Sequence, residues 1–354
     1  MRSDLRPNPR LVGVFVDGPL PRLLGVLVSA TIVAAACGAS ATPAPTVGAA
    51  STPSSVSPGP NLAAGAAPAS ASGPTIAIPS PVAVGSPIPV LGTENFYADL
   101  LSEIGGVRVQ ATSLLNNPNL DPHTYEANPQ DAVTVADAKL VIVSGLGYDD
   151  FMQHLVAASP NPSRIVVDVQ QLLGLPDGVN VHIWYDPGTM PRVAAAAEAA
   201  LAKLEPANAA YFAAREQLYL ASLEPLDAKI AEMKAKYAGA PVAFTEPVAG
   251  YLAKAIGLDV LTPEGFQKAI EDGTDPPPAD VATERDLLTG KKVRVLLYNS
   301  QTITPLTQQI QQLAVANGIP VVGVSETLPP QYHTYVIWQL TQMIELEQAL
   351  AKGA

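Results

Sequence analysis

The segment Leu140-Val-Ile-Val-Ser144 is a continuous apolar run that ends at Gly145-Leu-Gly147. A strand that is apolar on both faces is typical of a parallel sheet covered by helices on both sides. A second run of this kind, Arg164-Ile-Val-Val-Asp-Val169, follows a helical pattern at residues 150–157. Residues 140–169 therefore predict part of an α/β lobe with a parallel sheet.

The same alternation of strands and helices extends in both directions from this region. Further strands are predicted at residues 88–92, 107–112, 241–245, 293–298 and 319–324, and further helices at 95–104, 129–138, 248–256 and 332–351. A long helical pattern from Pro206 to Tyr237 separates the two groups. Pro206 suits a first helical turn, whereas Pro225 in the interior is predicted to kink or break the helix. We therefore predict an N-terminal α/β lobe at 87–205, a linking backbone helix at 206–238 and a C-terminal α/β lobe at 239–354.

The first 37 residues have the pattern of a secretory leader. Four arginines within the first 22 residues precede an apolar run from Leu23 to Ala36. The sequence Ala34-Ala35-Ala36-Cys37 resembles a bacterial lipobox, in which the cysteine is lipidated and becomes the mature N-terminus. We predict a lipoprotein signal peptide at residues 1–37 and lipidation of Cys37. The alternative is an ordinary signal peptide with an incidental cysteine.

Residues 38–86 are dominated by Ala, Pro, Ser, Thr and Gly and contain no charged residue. Such a segment buries too little apolar surface to offset the entropy lost on ordering. We predict a disordered tether that holds the lobes away from the outer face of the cytoplasmic membrane, to which the lipid would anchor the chain.

Overall composition excludes two kinds of partner or site. The formal net charge of the 354 residues is −12, so the phosphate backbone of a nucleic acid would be repelled. Cys37 is the only cysteine, which excludes an intramolecular disulfide framework and a zinc site built on CxxC motifs.

Four residues with metal-binding side chains are predicted at the carboxyl ends of strands. His123 follows the strand at 107–112, His182 lies beside the strand-like Asn180-Val181, Glu246 follows Phe244-Thr245, and Glu326 follows Val324-Ser325. Ligands of parallel α/β sheets bind at this edge. Two imidazoles and two carboxylates form a suitable site for Mn, Zn or Fe(II).

Other candidate residues receive structural interpretations. His154 and His333, the remaining two of the four histidines, are assigned to a helix surface and to the start of the last helix. Glu271, Asp272 and Asp275 are assigned to a solvated acidic loop. Gly145-Leu-Gly147 lacks the rest of a dinucleotide-binding motif and is assigned to a tight turn.

Several motifs together resemble the metal-binding solute-binding proteins of ABC importers, the ZnuA and TroA-like family for zinc and manganese. The motifs are Asp121-Pro-His-Thr-Tyr-Glu126, Gly145-Leu-Gly147, His182-Ile-Trp-Tyr-Asp-Pro187, Glu246-Pro-Val-Ala-Gly-Tyr-Leu252 and Val322-Gly-Val-Ser-Glu-Thr-Leu328. The resemblance implies two α/β lobes joined by a backbone helix, with metal in the interlobe cleft.

The resemblance also implies a set of metal ligands. His123 and His182 match the two histidine ligands of the family. Glu246 matches the third ligand, which is histidine in typical zinc members and glutamate in typical manganese members. Glu326 matches the fourth, an acidic position where aspartate is commoner.

The expected function is therefore binding without catalysis. We expect a monomeric extracytoplasmic lipoprotein that captures a divalent transition metal, Mn or Zn with Fe as a third choice, and delivers it to an ABC permease. One alternative is a secreted metallohydrolase with a glutamate as general base, although HExxH is missing. Another is a siderophore-type binding protein on the same scaffold, against which the aromatic content of 5% argues. A role in cell adhesion is also compatible with the sequence.

Overall fold

The computed structural model describes residues 76–83, 85–118 and 122–353. The predicted signal peptide, Cys37, most of the predicted tether and Asp121 lie outside the described residues. Among those that are described, no helix is long and apolar enough to cross a membrane. Near the end of the predicted tether, the backbone N–H and C=O of Val82 both bond to the side chain of Asn208, at 2.7 and 3.0 Å.

The N-terminal lobe is built on a parallel sheet of four strands. These are β1 Ile88–Glu94, β2 Val109–Leu115, β3 Leu140–Val143 and β4 Ile165–Asp168. Their order across the sheet is β2-β1-β3-β4. Every residue of β3 is buried, as its uninterrupted apolar sequence predicts. The helices of this lobe are α1 Asn95–Gly105, α2 Pro129–Asp137, α3 Phe151–Ala158, α4 Val169–Leu173 and α5 Thr189–Leu204.

The C-terminal lobe repeats this plan. Its strands are β5 Pro241–Phe244, β6 Asp259–Val260, β7 Val295–Asn299 and β8 Val321–Val324, in the order β6-β5-β7-β8 and all parallel. Its helices are α7 Gly250–Ile256, α8 Glu264–Glu271, α9 Pro278–Thr289, α10 Pro305–Ala316 and α11 Tyr335–Lys352. Strand β6 has two residues, too few for any sequence pattern to reveal it.

One long helix joins the lobes. Helix α6, Ala209–Tyr237, contains 29 residues and follows a 3₁₀ turn at Pro206–Asn208. It packs against α1 and α5 of the first lobe and against α7 and α11 of the second. The prediction of two parallel-sheet α/β lobes joined by a backbone helix is confirmed.

Pro225 was predicted to kink or break this helix; the break is wrong, because α6 continues through Pro225. A proline cannot donate a hydrogen bond to the carbonyl four residues earlier, which here belongs to Ala221. Both residues are exposed, so water can hydrate that carbonyl. The last helix also starts later than predicted, at Tyr335. Thr334 caps it by accepting a hydrogen bond from the backbone N–H of Ile337.

Candidate metal centre

The N-terminal lobe contributes the two histidines. His123 lies in the 3₁₀ turn Pro122–Thr124 that follows β2, and its side chain is 18% exposed. His182 is completely buried and directly precedes the 3₁₀ turn Ile183–Tyr185. The strand expected before His182 is absent, because the side-chain oxygen of Asn180 accepts the backbone N–H of His182 at 3.0 Å. Such a bond closes an Asx turn and withdraws that N–H from any sheet.

The C-terminal lobe contributes the two carboxylates from the ends of its strands. Glu246 lies two residues after β5, and Glu326 lies two residues after β8; both are buried. The backbone N–H groups of Glu326 and Thr327 donate to Oε1 of Gln301, at 2.6 and 2.9 Å. These bonds fix the turn that carries Glu326.

Three of the four predicted ligands converge around one point. The Nε2 atom of His123 lies 3.2 Å from Oε2 of Glu326, and Nε2 of His182 lies 3.4 Å from the same oxygen. One donor atom from each of these residues lies within 4.8 Å of the other two. Nitrogen lone pairs that face a carboxylate oxygen at these distances repel it unless a proton or a metal ion lies between them.

Glu246 is outside this group of three but is connected to it. Nδ2 of Asn299 donates to Oε2 of Glu246 at 2.6 Å and to Oε1 of Glu326 at 2.7 Å. The other oxygen of Glu246, Oε1, is buried and makes no hydrogen bond among the described residues. A buried carboxylate oxygen without a hydrogen bond is costly, and a bound cation would remove that cost.

The orientation of His182 suits metal binding through Nε2. Its Nδ1 lies 2.8 Å from Oδ1 of Asn180. The backbone N–H of His182 donates to the same oxygen, so Oδ1 must face the histidine and Nδ1 must carry the proton of this bond. The other ring nitrogen, Nε2, is directed towards Glu326. A histidine ligand is commonly oriented by a hydrogen bond of this kind.

The two carboxylates titrate very differently. Burial, together with the negative charge of Glu326, raises the pKa of Glu246 to about 8. Burial also raises the pKa of Glu326, but hydrogen bonds with His123 and His182 outweigh burial and hold that pKa below its ordinary value. Two buried carboxylates close together cannot both be ionised cheaply without a cation.

Glu271 lies in a different environment from the one that the sequence predicted. It was predicted in a solvated loop, but it is the buried last residue of α8, and its Oε1 lies 3.6 Å from Nδ1 of His182. Asp272 and Asp275 are exposed, as predicted. His154 on α3 and His333 before α11 are also exposed and lie outside the group of three donors.

Two other residues of the centre were not found from the sequence. One is Asn299, the last residue of β7. The other is Tyr148, whose hydroxyl donates to Oε2 of Glu326 at 3.0 Å. Tyr148 follows Gly145-Leu-Gly147, which forms the predicted tight turn and has positive φ at all three residues. Glycine adopts positive φ angles without strain, which explains the presence of Gly145 and Gly147 in this turn.

The comparisons with known proteins agree with this fold. Residues 90–349 match the family described as ZnuA, zinc-uptake complex component A, periplasmic. The chain belongs to this family.

Curated relatives carry names that refer to two metals. The manganese-binding lipoprotein MntA of Halalkalibacterium halodurans is 29% identical over 149 residues, 40% of this chain and 48% of that protein. The zinc-binding protein TroA of Treponema pallidum is 28% identical over 199 residues, 53% of this chain and 63% of that protein. The chain thus spans about half to two-thirds of the length of these relatives.

Solved structures share the fold across most of their length. The periplasmic zinc-binding protein TroA of Treponema pallidum has a TM-score of 0.65 at 22% identity, covering 75% of this chain and 99% of that one. The binding protein FpvC of Pseudomonas aeruginosa with Mn²⁺ has a TM-score of 0.63 at 21% identity, covering 76% and 100%. At this level of identity the similarity concerns the fold alone.

Proposed function

We propose that this chain captures a divalent transition metal ion outside the cytoplasmic membrane and delivers it to the permease of an ABC importer. The observation that carries the proposal is the convergence of His123, His182 and Glu326, whose donor atoms lie within 4.8 Å of one another. Membership of the zinc-uptake family supports it. The function is binding and release of the ion, with no chemical conversion of a substrate.

The proposed coordination shell comprises His123, His182, Glu246 and Glu326. Glu246 joins the other three through its free Oε1 when the ion replaces the protons of the metal-free centre. Asn299 stays bonded to the second oxygen of Glu246 and to Glu326 and holds both carboxylates in place. The metal lies between the lobes, because each lobe contributes two of the four ligands.

The donor set favours manganese over zinc, with iron(II) as a third candidate. Two carboxylates and two imidazoles suit Mn²⁺, whereas zinc sites more often contain thiolates or a larger share of histidine. The names of the relatives include both metals. Zn²⁺ binds most such sites more tightly than Mn²⁺, so selectivity in the cell depends on geometry and on metal availability.

The segments that precede the lobes complete the proposal. Removal of residues 1–36 and lipidation of Cys37 would anchor a monomer to the outer face of the membrane. The tether at 38–86 would let the lobes at 87–205 and 239–354 and the helix at 206–238 reach the permease. A single lipid chain gives only marginal membrane binding, so more than one acyl chain would be needed for stable anchoring.

Substitution of His123 by alanine tests the proposal. Wild-type protein, offered manganese and zinc together and then dialysed, is expected to retain one ion per chain, and elemental analysis identifies the ion. His123→Ala is expected to lose this stoichiometric binding with an unchanged circular dichroism spectrum. His154→Ala, which removes an exposed helical histidine, is the matched control and is expected to bind as wild type does. Unchanged binding in His123→Ala would overturn the proposed site.

A further inference from the structure

Asn180 makes contacts in two directions at the boundary between the lobes. Its Oδ1 accepts from Nδ1 of His182 at 2.8 Å and from the backbone N–H of His182 at 3.0 Å. Its Nδ2 donates to the backbone carbonyl of Pro247 in the opposite lobe, at 2.7 Å. The two ends of one amide thus contact a proposed ligand and the other lobe.

The opposite lobe surrounds Asn180 closely. Pro247 directly follows Glu246, so the carbonyl that Asn180 contacts belongs to the segment carrying another proposed ligand. The hydroxyl of Tyr251 donates to the backbone carbonyl of Asn180 at 2.9 Å. Gly250 leaves room for the amide, because a Cβ at that position would lie 2.9 Å from Nδ2 of Asn180.

Glu271 is a competing partner for the same ring nitrogen. Its Oε1 lies 3.6 Å from Nδ1 of His182, beyond hydrogen-bond distance. Asn180 is the nearer acceptor at 2.8 Å and is itself held in place by Pro247. The proton on Nδ1 is therefore shared with Asn180 rather than with Glu271.

We propose that Asn180 is a positioning residue that couples docking of the two lobes to the orientation of His182. This inference rests on the proposed function, because His182 is a ligand only in that proposal. When the lobes are docked, Pro247 holds the amide so that Oδ1 keeps the proton on Nδ1 and leaves Nε2 for the metal. When they separate, the amide is free to turn and the ring loses its acceptor. The ring of His182 is then no longer held in the orientation that directs Nε2 towards the proposed metal position.

The first test observes the Nδ1–H group by ¹⁵N-edited NMR in metal-free protein, where four histidines give few imidazole signals. Wild type is expected to show a protected Nδ1–H signal from His182. Asn180→Ala is expected to lose it, and Asn180→Asp, which retains an acceptor oxygen, is expected to restore it. A protected signal that persists in Asn180→Ala would overturn the positioning role and point to Glu271 as the partner.

The second test acts on Asn180 from the other lobe. In Gly250→Ala, the new methyl group would displace the amide of Asn180, so the Nδ1–H of His182 is expected to exchange with water faster. Gly323→Ala is the matched control, because a Cβ there has no neighbouring heavy atom within 4 Å. If Gly250→Ala and Gly323→Ala both exchange as wild type does, the coupling between the lobes is wrong.

Metal release provides the functional readout. Chelator-induced dissociation of bound Mn²⁺ or Zn²⁺ is expected to be about 10-fold faster in Asn180→Ala and in Gly250→Ala, at the lower end of the effect typical of groups that orient a ligand. Gly323→Ala is expected to release the metal at the wild-type rate. Equal rates in all four proteins would overturn the coupling. If wild type binds no metal, the proposed function fails, and the two NMR tests on metal-free protein still decide the role of Asn180.

Discussion

The two lobes place the same pair of residues at the end of the first strand of each lobe but give it different surroundings. Strand β1 ends in Thr93-Glu94, and β5 is followed by Thr245-Glu246. Gly92 pairs with Ile142 in the first sheet, and Phe244 pairs with Leu297 in the second. If each strand pairing is extended by two residues, Glu94 lies beside Ser144 and Glu246 lies beside Asn299. The two glutamates are therefore equivalent in the fold.

The two glutamates differ in their surroundings, and only Glu246 is a proposed metal ligand. Burial raises the pKa of Glu94 well above its ordinary value, and the nearby carboxyl of Asp149 raises it further. Glu246 also has a raised pKa, but Asn299 connects it to Glu326, which contacts both histidines. The fold repeats the position of the glutamate, whereas the neighbouring residues decide what it can bind. Of the two glutamates, Glu246 is the one beside a strand that ends in asparagine, and this Asn299 connects it to Glu326.

The largest expected effect comes from exchanging each glutamate for glutamine. Glu246→Gln removes a proposed ligand charge and is expected to weaken Mn²⁺ binding by more than the 10–100-fold typical of groups outside the coordination shell. Glu94→Gln is the matched control, because it changes the equivalent residue of the other lobe. Its metal affinity is expected to equal that of wild type. Isothermal titration of both variants measures the difference.

Either of two results would break this comparison. Equal losses in both variants would mean that Glu94 acts on the centre or that the fold is generally damaged, which thermal unfolding would distinguish. Wild-type affinity in Glu246→Gln would remove Glu246 from the coordination shell and leave the centre with three protein ligands. The remaining position would then be filled by water or by an additional donor.

A smaller effect is expected when the C-terminal lobe receives the residue of the N-terminal lobe. Asn299→Ser is expected to remove the amide that bonds to Glu246 and Glu326, because a serine side chain is too short to contact both carboxylates. Metal affinity is expected to fall by about 10–100-fold, the usual range for such supporting groups. The matched control is Ser144→Ala at the equivalent position in the first lobe, which is expected to leave affinity unchanged. A wild-type affinity in Asn299→Ser would show that the carboxylates hold their positions without the bridge.

The fold and the candidate metal donors were predicted from the sequence alone, whereas the residues that hold those donors in place were not. Apolar runs such as residues 140–143 predict buried parallel strands because few other structures tolerate two apolar faces. Histidine and glutamate at strand ends are visible as donors in any sequence. Asn180, Asn299 and Tyr148 were missed because a single asparagine or tyrosine carries no periodic signal, and their partners lie 27–178 positions away or in the other lobe. Glu271 was misassigned because the charge pattern around it resembles a solvated loop.

The smallest expected effect concerns a buried carboxyl group that lies on a helix and not at the end of a strand. Glu284 on α9 is fully buried, and burial raises its pKa from 4.5 to about 7. The unfolded chain ionises this group at a lower pH than the folded protein does. Stability is therefore lost as the pH rises from about 4.5 through about 7, and the loss is complete above the folded-state value.

Glu284→Gln removes this pH-dependent cost without changing the size of the side chain. The variant is expected to be more stable than wild type at pH 8 by on the order of 1–3 kcal/mol and equally stable near pH 4. Urea unfolding of metal-free protein at both pH values measures the difference. Metal affinity is expected to be unchanged, since burial alone and not the centre raises the pKa of this carboxyl group. A gain in stability that is independent of pH would contradict that cause, and a loss of metal affinity would mean that the environment of Glu284 extends to the centre.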